Sequence, residues 1–219
     1  MSTTDRNRVQ GSDGVRLFQN RLLESLTHVH PIVPLVFWTP VVCYFLWQAA
    51  GEERLGIGAL LLIALVAFAT WSLVEYLAHR FLFHFNARNR VSRYLVFLFH
   101  GVHHVSPQDK TRLVMPPAGG LLLMSLLWWV FSMIVPGDWL EGFMAFFIVG
   151  YLCYDYTHYA VHHFNPQSEV GRYLKRHHMQ HHFRDSTRNF GVSSPVWDWF
   201  FRTDISNRRT APVRQRPAR

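Results

Sequence analysis

Fourteen histidines occur in 219 residues, and twelve of them fall in four short stretches. These are HRFLFH (His79, His84), HGVHH (His100, His103, His104), HYAVHH (His158, His162, His163) and RHHMQHHF (His177, His178, His181, His182). Neutral imidazole is a nitrogen donor suited to Fe, Zn, Cu and Ni, so histidine stretches repeated in this way read as ligands of a metal centre. One zinc ion takes four ligands, whereas two to three histidines from each of four helices suffice for two metal ions. On a helix, positions i, i+3 and i+4 share a face. This predicts that His100, His103 and His104 converge on one point, as do His178, His181 and His182, and that His158 pairs with His162. His79 and His84 stand at i, i+5, which a regular α-helix separates, so a helix end or a local bulge is expected between them. RHHMQHHF fits HxxHH and HHxxH equally well, and spacing within it leaves the frame open.

Two acids stand one helical turn from histidines: Glu75 at i−4 from His79 and Asp155 at i−3 from His158. They read either as partners that orient ring nitrogens or as helix-end carboxylates facing water or an arginine such as Arg80. His28 and His30, outside the clusters, read as surface or internally satisfied residues.

The elements that must position the histidines are apolar. Residues 31–50, 57–74 and 118–135 carry no charge, and each run is long enough to cross a hydrocarbon layer as a helix. Residues 139–158 form a weaker fourth span, with Glu141 near its start and Asp155 near its end. Four such runs in a soluble protein would need a shell that a chain of this length does not have. The first 30 residues lack the apolar stretch of a secretory signal. Cys43 and Cys153 both lie in apolar runs, without the spacing of a disulfide framework or zinc ribbon.

Charge orients the spans. The connectors 51–56 and 136–141 are acidic on balance, while residues 79–116 and 158–219 carry net +5 and +7 on a chain of net +8. Basic segments concentrate on the cytoplasmic side, which places the termini and all four histidine stretches there. The expected fold is an all-α integral membrane protein: four transmembrane helices as two hairpins, with a cytoplasmic helical cap holding a histidine-rich di-metal site. Residues 1–30 form a cytoplasmic N-terminal segment, 31–203 the membrane domain and 204–219 a basic tail. The basic charge does not signal nucleic-acid binding, because no aromatic-interleaved basic module accompanies it. A metal-transport reading is disfavoured because transporters hold their ions near the bilayer midplane, whereas these histidines sit at span ends.

The series HRFLFH, HGVHHVSPQDKTRLVMPP, HYAVHH and HHMQHHF…NFGVSSPVWDWFFRT resembles the membrane fatty acid hydroxylases over about residues 30–203. The histidine stretches carry the resemblance to the fatty acid hydroxylase and sterol desaturase superfamily, and RLVMPP and FGVSSPVWD point to its fatty acid 2-hydroxylase branch. The resemblance implies a di-metal centre of two Fe ions, which zinc can replace in purified protein. It also implies O2-dependent insertion of an oxygen atom next to an acyl carboxyl or amide, with a sterol or carotenoid oxygenase as the alternative within the superfamily. Carried over by motif, the ligands are His79, His84, His100, His103, His104, His158, His162, His178, His181 and His182. His163 is left near the metal or the substrate headgroup, and His177 as a bystander or a partner of the ligands. The fused haem domain of some relatives is not expected here, so electrons come from a separate carrier protein docking on the basic surface. The acyl tail is expected to enter between spans, with Trp71, Phe81, Phe83, Trp128 and Trp129 as candidate lining.

Overall fold

The computed structural model describes residues 15–51 and 55–205, and every regular element among them is a helix. In chain order these are α1 (Arg21–Ser25), α2 (Ile32–Ala50) and α3 (Ile57–Leu77), the last running on into a π-helical turn, Ala78–Phe83. Next, α4 (Arg90–Val96) passes through a second π-helical turn, Phe97–Gly101, into α5 (Val102–Val105). Then follow α6 (Pro117–Ser132), α7 (Gly137–His163), α8 (Glu169–Phe183) and α9 (Val196–Phe200).

Two helices, Ile32–Ala50 and Ile57–Phe83, are long and apolar enough to cross a membrane. The third apolar run is shorter as a helix than as a sequence. After Ser132 the amides of Ile134 and Val135 both turn back to the Phe131 carbonyl, ahead of Pro136. The 16 residues of α6 rise roughly 24 Å at ~1.5 Å each. The 27 residues of α7 reach roughly 40 Å and extend past the apolar run to His163.

The hub is α7, which packs along both α2 and α3. Gly150 makes the α3 contact close: a Cβ there would lie 2.8 Å from Trp71 Cβ and Cγ, so only glycine lets the two backbones approach. Trp71 is buried in this seam, edge-on to Phe147 at 5.1 Å and Tyr151 at 5.6 Å, in the geometry aromatic pairs prefer. Trp128 stacks on Phe45 at 5.0 Å, and Phe81 and Trp129 are exposed. Outward, α2, α3 and α6 present Val36, Leu61, Leu65 and Leu122, an apolar surface of the kind that lipid covers.

At the histidine-bearing end, the two π-helical turns pack together, α8 packs on α7, and α9 packs on α3. The N-terminal segment is tied down by Arg112, whose guanidinium meets the Glu24 carboxylate and donates to the Val15 carbonyl.

Candidate metal centre

The i, i+5 pair of the first stretch is resolved by a change of helix type. The π-helical turn widens the helix so that His79 and His84 face the same way, with ring centroids 5.0 Å apart. The His84 amide donates to the His79 carbonyl at 3.1 Å.

Ten histidines converge into two groups of five. The first is His79, His84, His100, His104 and His181; the second is His103, His158, His162, His178 and His182. Within each group the candidate ligand atoms lie within 4.8 Å of one another. The two HxxHH triplets therefore do not each converge on one point, as facial spacing suggested. In HGVHH, His100 and His104 serve the first group and His103 the second. In HHMQHH, His178 and His182 serve the second group and His181 the first. The reason is angular: consecutive helical residues point about 100° apart, so the i+3 and i+4 rings straddle two adjacent positions.

The atoms that meet are Nε2 throughout. In the first group, His79 and His100 approach to 3.1 Å, His100 and His104 to 3.0 Å, His84 and His181 to 3.0 Å, and His104 and His181 to 3.3 Å. In the second, His103 meets His158 and His182 at 3.0 Å each, and His162 meets His178 at 2.9 Å. For two ligands at right angles on a metal about 2.1 Å away, the expected nitrogen separation is about 3.0 Å.

Tautomers sharpen the point. Nδ1 of His79 lies 2.5 Å from the Phe190 carbonyl, and Nδ1 of His181 lies 2.6 Å from the Arg188 carbonyl. A carbonyl only accepts, so both Nδ1 atoms carry the proton and both neutral rings turn an Nε2 lone pair inward. Lone pairs facing one another at 3 Å repel unless a cation lies between them, and the donor set is therefore one that fits metal ions. Burial, reinforced by neighbouring histidines, pushes His100, His103 and His178 well below the usual imidazole range. His84 and His104 fall to about 4 and His181 to about 3, again mainly through burial. Near neutral pH these rings are uncharged, as metal ligands must be.

The outer nitrogens of the second group are held differently. Nδ1 of His158, His162, His178 and His182 is buried with no hydrogen-bond partner among the described residues.

The remaining residues singled out by sequence have other partners. Glu75 is buried and accepts from the amides of Val192 (2.7 Å) and Ser193 (2.9 Å) and from the Ser193 hydroxyl. Asp155 is buried and accepts from the Tyr151 hydroxyl at 2.6 Å. His163 lies outside both groups, against Tyr159 at 4.5 Å. His177 is buried outside both groups and donates from Nε2 to Asp198 at 3.1 Å. His28 bridges Thr111 and Arg112, and His30 accepts from the Ile32 amide. Phe83, of the candidate lining residues, stacks on His100 at 5.2 Å.

Sequence reasoning missed the loop after α8. Asp198 is fully buried, Asn189 is fully buried with a positive φ of 55°, and Thr203 links Asp198 to Tyr76. The stretch NFGVSSPVWD carried their signal as a motif, but its two polar anchors had no histidine spacing to mark them.

A family model described as fatty acid hydroxylase matches residues 64–203. The chain is 35% identical over 192 residues to the dihydroceramide fatty acyl 2-hydroxylase FAH2 of Arabidopsis thaliana, covering 87% of this chain and 80% of that protein. It is 36% identical to the fatty acid 2-hydroxylase of Homo sapiens, covering 86% of this chain and 56% of that one. Among solved structures, full-length scs7p, with only its hydroxylase domain visible, superposes with a TM-score of 0.83 at 35% identity. That match covers 90% of this chain and 75% of that one.

Proposed function

We propose that this chain, which belongs to the fatty acid hydroxylase family, hydroxylates a lipid acyl chain at carbon 2, using O2 and two Fe ions held by its ten clustered histidines. It is a hydroxylating oxidoreductase with a membrane-type apolar surface. The observation that carries the proposal is the pair of five-histidine groups whose Nε2 atoms face one another at 2.9–3.3 Å. The first group would hold one ion through His79, His84, His100, His104 and His181. The second would hold the other through His103, His158, His162, His178 and His182. Bound iron supplies the activation of O2 and the cleavage of an unactivated C–H bond, which no amino-acid side chain performs.

The chain's own residues position the reaction. The apolar helices α2, α3, α6 and α7 are read as four spans in two hairpins, with the basic segments and histidine groups at the cytoplasmic face. In that arrangement a polar headgroup stays at the cap while the acyl tail lies among the spans. Carbon 2, one bond beyond the carboxyl or amide carbon, is then the first methylene to reach the metals. Phe83, stacked on His100, is an apolar wall at that place. The relative from Arabidopsis thaliana named as a dihydroceramide fatty acyl 2-hydroxylase supports a sphingolipid-linked acyl chain as substrate. Electrons are supplied by a separate carrier protein that docks on the basic cytoplasmic surface.

The test is expression in a host lacking the activity, followed by lipid mass spectrometry. Wild type should add one oxygen atom at carbon 2 of acyl lipids, and His178→Ala should add none. A metal-loaded wild type that leaves every acyl lipid unchanged refutes the assignment.

A further inference from the structure

We infer that Asp198, held by His177, is a positioning residue for the first metal position alone. The inference rests on reading the two histidine groups as metal positions. Two of the five first-group histidines are fixed from outside by backbone carbonyls, those of Phe190 and Arg188. Both carbonyls belong to one short loop, and the loop has little regular structure to hold its peptides in place. Asp198 supplies that hold.

The connection runs through a single peptide unit. The Phe190 carbonyl and the Gly191 N–H belong to the same planar group and point to opposite sides of it. Gly191 N–H donates to Asp198 Oδ2 at 2.7 Å, while the carbonyl on the other side accepts from His79 Nδ1. Asp198 Oδ1 accepts from the Phe190 amide at 2.9 Å and from the Thr203 hydroxyl at 2.7 Å, which fixes the carboxylate plane. His177 Nε2 completes the set on Oδ2. Gly191 is required at this turn, since a Cβ there would lie 2.0 Å from the Ser194 carbonyl oxygen.

The second carbonyl is tied to the same framework. The Asn189 amide, in one peptide unit with the Arg188 carbonyl, donates to the Thr203 carbonyl at 3.0 Å. The Thr203 amide in turn donates to the Asp198 carbonyl at 2.8 Å. The Asn189 side chain donates to the His177 carbonyl at 3.0 Å and accepts from the Ile205 amide at 2.9 Å. His177 and Asp198 thus brace both anchors, and both anchors serve first-group ligands. The four second-group histidines named above have buried Nδ1 atoms outside this framework. Loss of the brace therefore loosens one metal position and spares the other.

The experiment uses the full chain purified in detergent, with iron or cobalt(II) as the probe. Metal per chain is measured by elemental mass spectrometry across a chelator titration, and the cobalt ligand-field spectrum is recorded beside it. Wild type should bind two ions. Asp198→Asn is nearly isosteric but leaves one amide N–H facing another. It should weaken retention of one ion about 10–100-fold, the usual range for partners of metal-bound histidines, and keep the other at wild-type strength. His177→Leu should act in the same direction, and His177→Gln, whose amide still donates, should restore two-ion retention. The His177 pair decides the matter if Asp198→Asn does not fold. Parallel loss of both ions in folded variants, or wild-type retention of both, overturns the inference. A wild type that binds no metal instead overturns the reading beneath it.

Discussion

Glu75 gives the sharpest energetic contrast in the fold. Its carboxylate joins α3, one turn before His79, to the loop after α8 by accepting three hydrogen bonds from Val192 and Ser193. Glu75→Ala removes the acceptor and orphans two backbone N–H groups. Each buried orphan costs about 1–3 kcal/mol. Val192 is fully buried, so water cannot substitute there; Ser193 is half-buried, so its amide belongs at the lower end of the range. The sum is about 2–4 kcal/mol. For a chain of this size that corresponds to a fall of roughly 4–16 °C in melting temperature. Glu75→Gln keeps one oxygen, and both amides already converge on the same atom, Oε1. The Ser193 hydroxyl can rotate to accept from the new amide group, so the cost should stay below about 1 kcal/mol. The assay is thermal unfolding in detergent, followed by circular dichroism, for wild type and the two variants. Equal melting of the Ala and Gln variants would refute the accounting, because the two differ in whether the buried amides keep an acceptor.

Gly150→Ala should destabilise by about 1–3 kcal/mol through overpacking, since its Cβ would strike Trp71; unchanged melting would mean that the α3–α7 seam is looser than it looks. Metal-free protein should be fully stable above about pH 6.5 and lose stability progressively from there to about pH 4. Burial holds His84 and His104 at about 4 in the folded chain, so the unfolded chain binds more protons throughout that window. Melting measured at several pH values checks the sign, and a melting temperature that rises on acidification contradicts it. Turnover driven by an acidic electron carrier should fall steeply with ionic strength, because docking on the basic surface is screened. Salt-insensitive reduction by every competent donor would count against that surface.

The four apolar runs and the four histidine stretches were legible because both have periodicity and composition on their side. The i, i+5 spacing of His79 and His84 also carried its message, since only a widened or interrupted helix brings such a pair together. What could not be read was how three histidines on one helical face divide between two centres. Facial spacing states that the rings are neighbours, and the position of the opposing helices decides whether they meet at one point or two. Glu75 and Asp155 illustrate a second limit. Their separation from a histidine by one turn left open a ring partner or a helix-end carboxylate, yet Glu75 reaches across to backbone amides of a distant loop and Asp155 is held by the Tyr151 hydroxyl of its own helix. Asp198 lay beyond any such rule: 21 residues separate it from His177, and its other donors are the Thr203 hydroxyl and two backbone amides, which no spacing marks.

The division of the triplets has a structural consequence. Each HxxHH stretch contributes to both groups, so α5 and α8 each bridge the two histidine groups, whereas the first stretch serves only the first group and His158 and His162 serve only the second. A shift of α8 therefore moves histidines of both groups together, which keeps the spacing between the groups. A shift at the end of α3 changes the first group only. That group is also the one whose outer nitrogens are anchored to a braced loop, and the anchors fall on His79, from the π-helical turn, and on His181. One anchored ring thus rises from a widened turn and the other from a regular helix, so the braced loop ties α3 and α8 together at the first group.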